Sequence, residues 1–155
     1  MAKEMMVEQS VIINIAKQKV YNYLKFCKNQ ENFSVWNMAD PNKKTTATGT
    51  DGTEDFVYSW DSTQKSVGAG SQQIIRLAEG ESIDYVINFL RPMKNVGHAG
   101  FRLESSGNNQ TKVTWTFKSP TKFPMSLFKG LFIKMLSKDL AKSLQNLKAI
   151  LEKEG

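Results

Sequence analysis

Residues that could support catalysis or metal binding are few in this sequence. It contains one histidine, His98, and one cysteine, Cys27. A zinc site needs several His or Cys ligands, and a serine or cysteine nucleophile needs a base such as histidine beside it. His98 has the opposite strand parity from Phe101 and Leu103, so it should point away from the interior. The sequence therefore predicts no metal, no cofactor and no catalytic residue.

Tyrosines are the remaining candidates for acid–base chemistry. Tyr58 and Tyr85 both lie in aromatic-rich segments with period-two alternation. A phenol can transfer a proton inside an enclosed pocket, and it can also hydrogen-bond a ligand without reacting. The tyrosines alone leave both a binding protein and an acid–base enzyme open.

The elements that would position these side chains are mainly strands. Apolar residues alternate with polar ones between short turn sequences, which is typical of an antiparallel meander. We predict strands at 6–15, 43–49, 56–61, 66–77, 83–90, 96–104 and 113–118, with two short helices at 16–26 and 29–33. One face of the sheet should be covered and the other wetted.

The C-terminal segment predicts the element that covers the sheet. Apolar residues recur at spacings of four and three, and Pro124 suits the first turn of a helix. They are Phe128, Phe132, Leu136, Leu140, Leu144, Leu147 and Leu151. A helix of about 30 residues is about 45 Å long. We predict one α+β domain over 1–155 with a helix-grip fold, a curved antiparallel sheet of about seven strands around this helix.

Aromatic density on the inward-facing positions favours an apolar cavity between sheet and helix. A long helix over a curved sheet leaves space at the open end, and such space with a few polar groups is a typical ligand pocket. A completely filled core is the alternative. The predicted ligand-binding residues are Trp36, Tyr58, Trp60, Gln72, Ile74, Tyr85, Ile87, Phe89, Phe101, Trp115, Phe117, Phe128, Phe132, Met135 and Leu136.

Charge and hydropathy limit the partners. The net charge is +6, but only three of the 21 basic residues are arginine, so nucleic acid is not an expected partner. Leu127, Leu131 and Ile133 lie outside the main helical stripe, which favours either packing by mouth loops or a basic surface that contacts membranes. An acidic protein is another possible partner, in a monomer or a dimer. Without an N-terminal apolar segment or a membrane span, we expect a soluble cytoplasmic protein.

Several short motifs carry a family resemblance along nearly the whole chain. They are VIINIA at 11–16, KVYNYL at 19–24, ENF at 31–33 before Trp36, YSW at 58–60, VGAGS at 67–71, TKVTW at 111–115 and FPM at 123–125. Their order and spacing resemble the START/polyketide-cyclase-like (SRPBCC) helix-grip superfamily, specifically its bacterial polyketide cyclase/dehydrase-like branch. That branch shares no catalytic motif.

The resemblance implies a cavity for a small hydrophobic molecule such as a lipid, polyketide or aromatic metabolite. The alternative is a polyketide cyclase or dehydratase that uses tyrosine acid–base chemistry. Chaperone-regulating and ribosome-associated branches of the superfamily add a third interpretation, an interaction module whose lysines contact an acidic partner.

Overall fold

Alternation of apolar and polar side chains builds one antiparallel sheet of seven strands, in the order β1-β7-β6-β5-β4-β3-β2. The computed structural model describes residues 3–121 and 125–154. Its strands are β1 (Lys3–Ile13), β2 (Lys44–Thr48), β3 (Val57–Asp61), β4 (Ala69–Ala78), β5 (Ser82–Arg91), β6 (Asn95–Gly107) and β7 (Gln110–Thr121). The predicted fold class is confirmed: the sheet is curved and a long C-terminal helix lies on it.

Short helical segments follow β1, and the long helix ends the chain. They are α1 (Lys17–Leu24), a 3₁₀ helix at Cys27–Asn32, α2 (Val35–Met38), a second 3₁₀ helix at Met125–Phe128 and α3 (Lys129–Glu154). The helix start predicted at Pro124 lies outside the described residues. Strand boundaries agree with the predictions to within three residues.

The apolar stripe of α3 faces the concave side of the sheet. Leu140, Leu144 and Leu147 have no exposed surface, and burying each such side chain stabilises the fold by about 1.5–3 kcal/mol. Polar contacts fix the C-terminal half of α3 against β1. The Lys148 ammonium donates to the Ile12 carbonyl at 2.7 Å, and the Asn14 amide donates to Glu152 at 2.8 Å.

Three hydrogen bonds join the α2 region to the middle of α3. Trp36 Nε1 donates to the Asp139 carboxylate at 3.1 Å, and the Val35 amide donates to Ser143 Oγ at 3.0 Å. The Asn146 side-chain amide donates to the Phe33 carbonyl at 3.1 Å. The α2 helix has a single turn, and so short a helix is not stable by its own backbone hydrogen bonds. These three contacts with α3 therefore hold α2 in place.

Candidate functional site

An apolar cleft of about 240 Å³ lies where the turn between β5 and β6 faces the start of α3. The cleft is partly open to solvent. It is lined by Phe89, Arg91, Pro92, Met93, Lys94, Asn95, Pro120, Thr121 and Phe132. Asn95 fixes one wall, since its side-chain amide donates to the Pro120 carbonyl at 3.1 Å. We call this end, where the cleft opens, the open end of the grip.

Phe89, on the inner wall of the cleft, belongs to a row of aromatic rings. The Phe89 ring contacts the rings of Trp60 and Phe117, each edge to face with centroids 6.2 Å apart. Trp60 is oriented by its indole N–H, which donates to the Val67 carbonyl at 3.1 Å. Edge-to-face pairs are a favourable ring geometry, so this wall is both apolar and well ordered.

Deeper in the grip, aromatic rings pack against one another. The Phe101 and Trp115 ring centroids are 4.6 Å apart, and Trp115 also contacts Phe33 and Trp36 at 5.8 Å. Tyr85 meets Phe101 at 6.1 Å. The predicted cavity needs Trp60, Tyr85, Phe101, Trp115, Phe132 and Leu136, all predicted ligand-binding residues, around one shared apolar volume. In the structure, Tyr85, Phe101 and Trp115 form a packed core, whereas Phe132 lies at the cleft.

The predicted site residues fall into four groups by burial. Tyr58, Ile74, Tyr85, Phe101, Trp115 and Phe117 are buried in the core; Trp36, Trp60, Ile87, Phe89, Phe132 and Leu136 are half-buried against it; Gln72 is a buried polar residue; Phe128 and Met135 are exposed. Of this set, Phe89 and Phe132 line the cleft. His98 is exposed, as its strand parity predicted.

The inward orientation predicted for Phe128 and Met135 is wrong. Their side chains are 53% and 49% exposed. Leu140 and Leu144 are buried against the sheet, so they fix which side of α3 faces it. With 3.6 residues per turn, the sheet-facing positions nearer the start of the helix can be counted back from them. Met135, five residues before Leu140, lies on the opposite side of the α3 axis from that stripe. Phe128 precedes α3 and belongs to the 3₁₀ helix, so the spacing of four used from Phe128 onward does not hold there.

Sequence reasoning missed the cleft residues of the β5–β6 turn and of the end of β7. Met93, Lys94 and Asn95 lie between the strands predicted at 83–90 and 96–104, and Pro120 and Thr121 lie beyond the strand predicted at 113–118. The signal available was the turn sequence RPMK between two apolar strands, with an apolar Met at its centre. Strand parity predicts which face of the sheet a side chain lies on, but it does not predict the path of the turn between two strands.

A partly buried ion pair lies under α2, away from the cleft. The Lys43 ammonium donates to Glu31 at 2.9 Å and to the Asn37 carbonyl at 2.7 Å. Its side chain is only 6% exposed. Tyr58 donates its hydroxyl proton to the other Glu31 oxygen. Burial, followed by this hydrogen bond to Glu31, raises the pKa of Tyr58, so the phenol stays protonated.

A second buried polar group surrounds Gln72. Its side-chain amide donates to Cys27 Sγ at 3.1 Å and to Gln30 Oε1 at 3.3 Å. Burial raises the pKa of the Cys27 thiol to about 12, and burial is also the main cause that raises the pKa of Tyr85. Both groups are therefore neutral at physiological pH. Within the described structure, neither the Tyr85 hydroxyl nor the Gln30 amide nitrogen has a hydrogen-bond partner.

A polar hollow of about 280 Å³ lies on the surface near β2 and β3, lined by Asp40, Asn42, Lys44, Asp61, Thr63 and Gln64. Ser62 Oγ donates to the Asp40 carboxylate at 2.5 Å, and this bond lowers the Asp40 pKa.

Across residues 3–121 and 125–154, no group of three or more His, Cys, Asp or Glu side chains is placed to hold a metal ion. Of the helices in these ranges, none has the length and hydropathy to cross a bilayer.

Fold and cleft together define a helix-grip protein whose apolar cleft opens at one end of the grip. The family model described as polyketide cyclase / dehydrase and lipid transport matches residues 5–152, and the chain belongs to this family. It is thus a member of the helix-grip superfamily that its sequence motifs resemble. No curated protein matches the chain.

Solved structures share the fold at low sequence identity. Norcoclaurine synthase from Thalictrum flavum, in complex with dopamine and hydroxybenzaldehyde, superposes with a TM-score of 0.71 at 7% identity, covering 99% of this chain and 90% of that one. The Aha1 dimer from Colwellia psychrerythraea gives a TM-score of 0.64 at 16% identity, covering 95% and 96%. At these identities the likeness concerns the fold alone.

Proposed function

We propose that this protein binds a small hydrophobic molecule, of the lipid, polyketide or aromatic-metabolite class, in the cleft between the β5–β6 turn and α3. The observation that carries the proposal is the apolar cleft itself, with Phe89 behind it and Met93 and Phe132 on its walls. A pocket bounded by aromatic and aliphatic side chains with a few polar groups at its edge is typical of small-molecule sites. The family description, which includes lipid transport, agrees with this proposal.

The size and charge of the cleft suggest the shape of the ligand. Its volume of about 240 Å³ is below the roughly 300–1,000 Å³ of drug-sized sites, so it suits a small ring system or part of an acyl chain. Arg91 and Lys94 are the charged residues of its lining. Arg91 is already paired with Asp61, whereas Lys94 is exposed and is free to pair with an acidic ligand head group.

A simple estimate bounds the affinity. Burying about 300 Å² of apolar ligand surface at roughly 25 cal/mol per Å² gives about 7–8 kcal/mol. Lost translational and rotational freedom removes several kcal/mol of this. The remaining free energy of roughly 3–5 kcal/mol corresponds to dissociation constants of about millimolar, and to weaker ones for ligands without a polar head group.

The enzymatic alternative has less support than binding. Tyrosine acid–base catalysis needs a phenol within hydrogen-bond reach of the substrate. Tyr58 and Tyr85 are buried in the core, and the described lining of the cleft contains neither a tyrosine nor a carboxylate. Burial raises the pKa of both phenols, which keeps them protonated at neutral pH and makes them weaker acids. A cyclase or dehydratase would need the core to open and admit its substrate.

Fluorescence of N-phenyl-1-naphthylamine, a small apolar probe, tests the proposal. The wild-type chain should bind the probe, and Phe132→Gln should weaken binding by about tenfold because it places a polar amide in the cleft. Phe128→Gln is the matched control, with the same substitution at an exposed position just before α3. Octanoic acid should displace the probe better than octanol if Lys94 pairs with the head group. Equal binding by both variants would refute the cleft as the site.

A further inference from the structure

The solvent-facing side of α3 changes character along its length. Leu127 and Leu131 are 69% and 66% exposed, and Met135 follows at the same spacing of four. Beyond them, the exposed residues of this face are polar or small, such as Lys142 and Gln145. A helix face that rests in water throughout is normally polar. The apolar half therefore needs an explanation that the polar half does not.

This apolar half lies at the mouth of the cleft. Phe132, which lines the cleft, stands next to Leu131 in the same helical turn, and Met93 lines the cleft from the other side. Met93, in the β5–β6 turn, is itself exposed. We define the mouth surface as Met93, Leu127, Phe128, Leu131 and Met135, all at least 49% exposed.

The two segments that contribute the mouth surface contain basic residues and no acidic ones. Residues 125–138 contain Lys129, Lys134 and Lys138 but no Asp or Glu, and residues 85–103 contain Lys94 and likewise no Asp or Glu. Lys134 and Lys138 are exposed. Leucine and methionine flanked by lysine is the pattern of a surface that lies in the interface of an anionic membrane.

We propose that the mouth surface docks on anionic lipid bilayers, with its Leu, Met and Phe side chains in the interfacial layer and its lysines at the lipid phosphates. A second copy of the chain is disfavoured because a two-fold contact through this surface would place lysines against lysines. A protein partner is disfavoured because lysine is depleted in protein interfaces, whose main contributors are Trp, Tyr and Arg. Docking does not require a ligand in the cleft, so it stands apart from the proposed function.

Co-sedimentation with lipid vesicles tests the docking. The wild-type chain should bind phosphatidylcholine vesicles that contain about 30% phosphatidylserine, should bind pure phosphatidylcholine at least about tenfold more weakly, and should lose affinity as salt rises. Leu131→Gln should reduce binding by about fivefold or more. Its control is Ile12→Gln, an exposed apolar residue of β1 at the far end of the sheet.

Two double variants test the contribution of the lysines to vesicle binding. The double variant Lys134→Gln/Lys138→Gln should weaken binding by about tenfold, whereas Lys142→Gln/Lys153→Gln, which removes the same charge from the other half of the helix, should have little effect. Equal losses from both doubles, or no sedimentation of the wild type, would overturn the proposal. A dimer that Leu131→Gln dissociates, without vesicle binding, would assign the surface to a second copy. Leu131→Gln should keep N-phenyl-1-naphthylamine binding, so the two proposals fail separately.

Discussion

Trp115 is the residue at which a packed core and a ligand wall can be distinguished. Its ring contacts Phe101, Phe33 and Trp36 and is almost wholly buried. We expect Trp115→Ala to lower the free energy of unfolding by about 3–5 kcal/mol, because it leaves a cavity among rigid rings. Urea denaturation measures this, with the exposed Phe128→Ala as a control that should change stability by less than about 0.5 kcal/mol. A small loss in Trp115→Ala would mean that the ring borders space and not core.

The partly buried pair of Lys43 and Glu31 gives a second prediction at the scale of single residues. Glu31→Gln removes the carboxylate that neutralises an ammonium with 6% exposure, and it also weakens the acceptor of the Tyr58 hydroxyl. Because Glu31 is 33% exposed, we expect a loss of about 1–3 kcal/mol, between the ranges for exposed and for buried ion pairs. The exposed pair Lys17–Glu81 is the comparison: Glu81→Gln should cost less than about 1 kcal/mol. Equal costs would show that solvent screens both pairs alike.

At the scale of elements, the sequence predicted strands better than the helix phase or the turns. Strand parity is a period of two, so it placed Phe101 and Trp115 inward and His98 outward over many residues. The helix has a period of 3.6, and Phe128 precedes it, so stepping by four from Phe128 does not give its phase. The cleft depends on the path of the 91–95 turn, which is set by tertiary contacts such as Asn95 to Pro120. Local patterns do not encode such contacts.

At two glycines near the open end of the grip, we expect substitution by alanine to change the free energy of unfolding in opposite directions. A Cβ at Gly130, near the start of α3, meets no atom within 4 Å, whereas a Cβ at Gly70 in β4 would lie 2.4 Å from the Asn88 carbonyl oxygen. Gly130→Ala should therefore raise the free energy of unfolding by up to about 1 kcal/mol through helix propensity.

Gly70→Ala should destabilise the β4–β5 pairing, by about 1–3 kcal/mol or more, because the clash is with backbone. Thermal unfolding of both variants checks the pair. A loss in Gly130→Ala would mean that the helix needs a bend at this glycine, and an unchanged Gly70→Ala would mean that β4 can move away from Asn88.

At the scale of the whole molecule, the two ends of the grip serve different purposes. The end near Leu144 and Leu147 is filled by apolar side chains and closed by bonds from α3 to β1. The end near Phe132 has an open cleft and an apolar, lysine-flanked exterior. Stability and the proposed binding are thus separated along one helix. Substitutions in the first half of α3 should change binding more than folding, and substitutions in the second half the reverse.

The same closed core makes the whole molecule sensitive to alkali. Burial raises the pKa of Cys27 from 9.0 to about 12 and that of Tyr21 from 10.0 to about 12, and it raises those of Tyr58 and Tyr85 as well. In the unfolded chain these groups lose their protons first, so above about pH 9 the unfolded state binds fewer protons than the folded state. Each group should then lower the free energy of unfolding by about 1.4 kcal/mol per pH unit above its unfolded pKa, the thiol from about pH 9 and the phenols from about pH 10.

Their contribution to stability is complete below about pH 9 and is lost as the pH rises towards 12. Urea unfolding at a series of pH values between about 8 and 11 measures the slope. Cys27→Ala provides the test of assignment: it lowers stability at every pH through lost packing, but it should also make the alkaline slope shallower, by up to about 1.4 kcal/mol per pH unit. If stability stays constant up to about pH 11, or if the slope is unchanged in Cys27→Ala, the fold does not raise the pKa of the buried thiol.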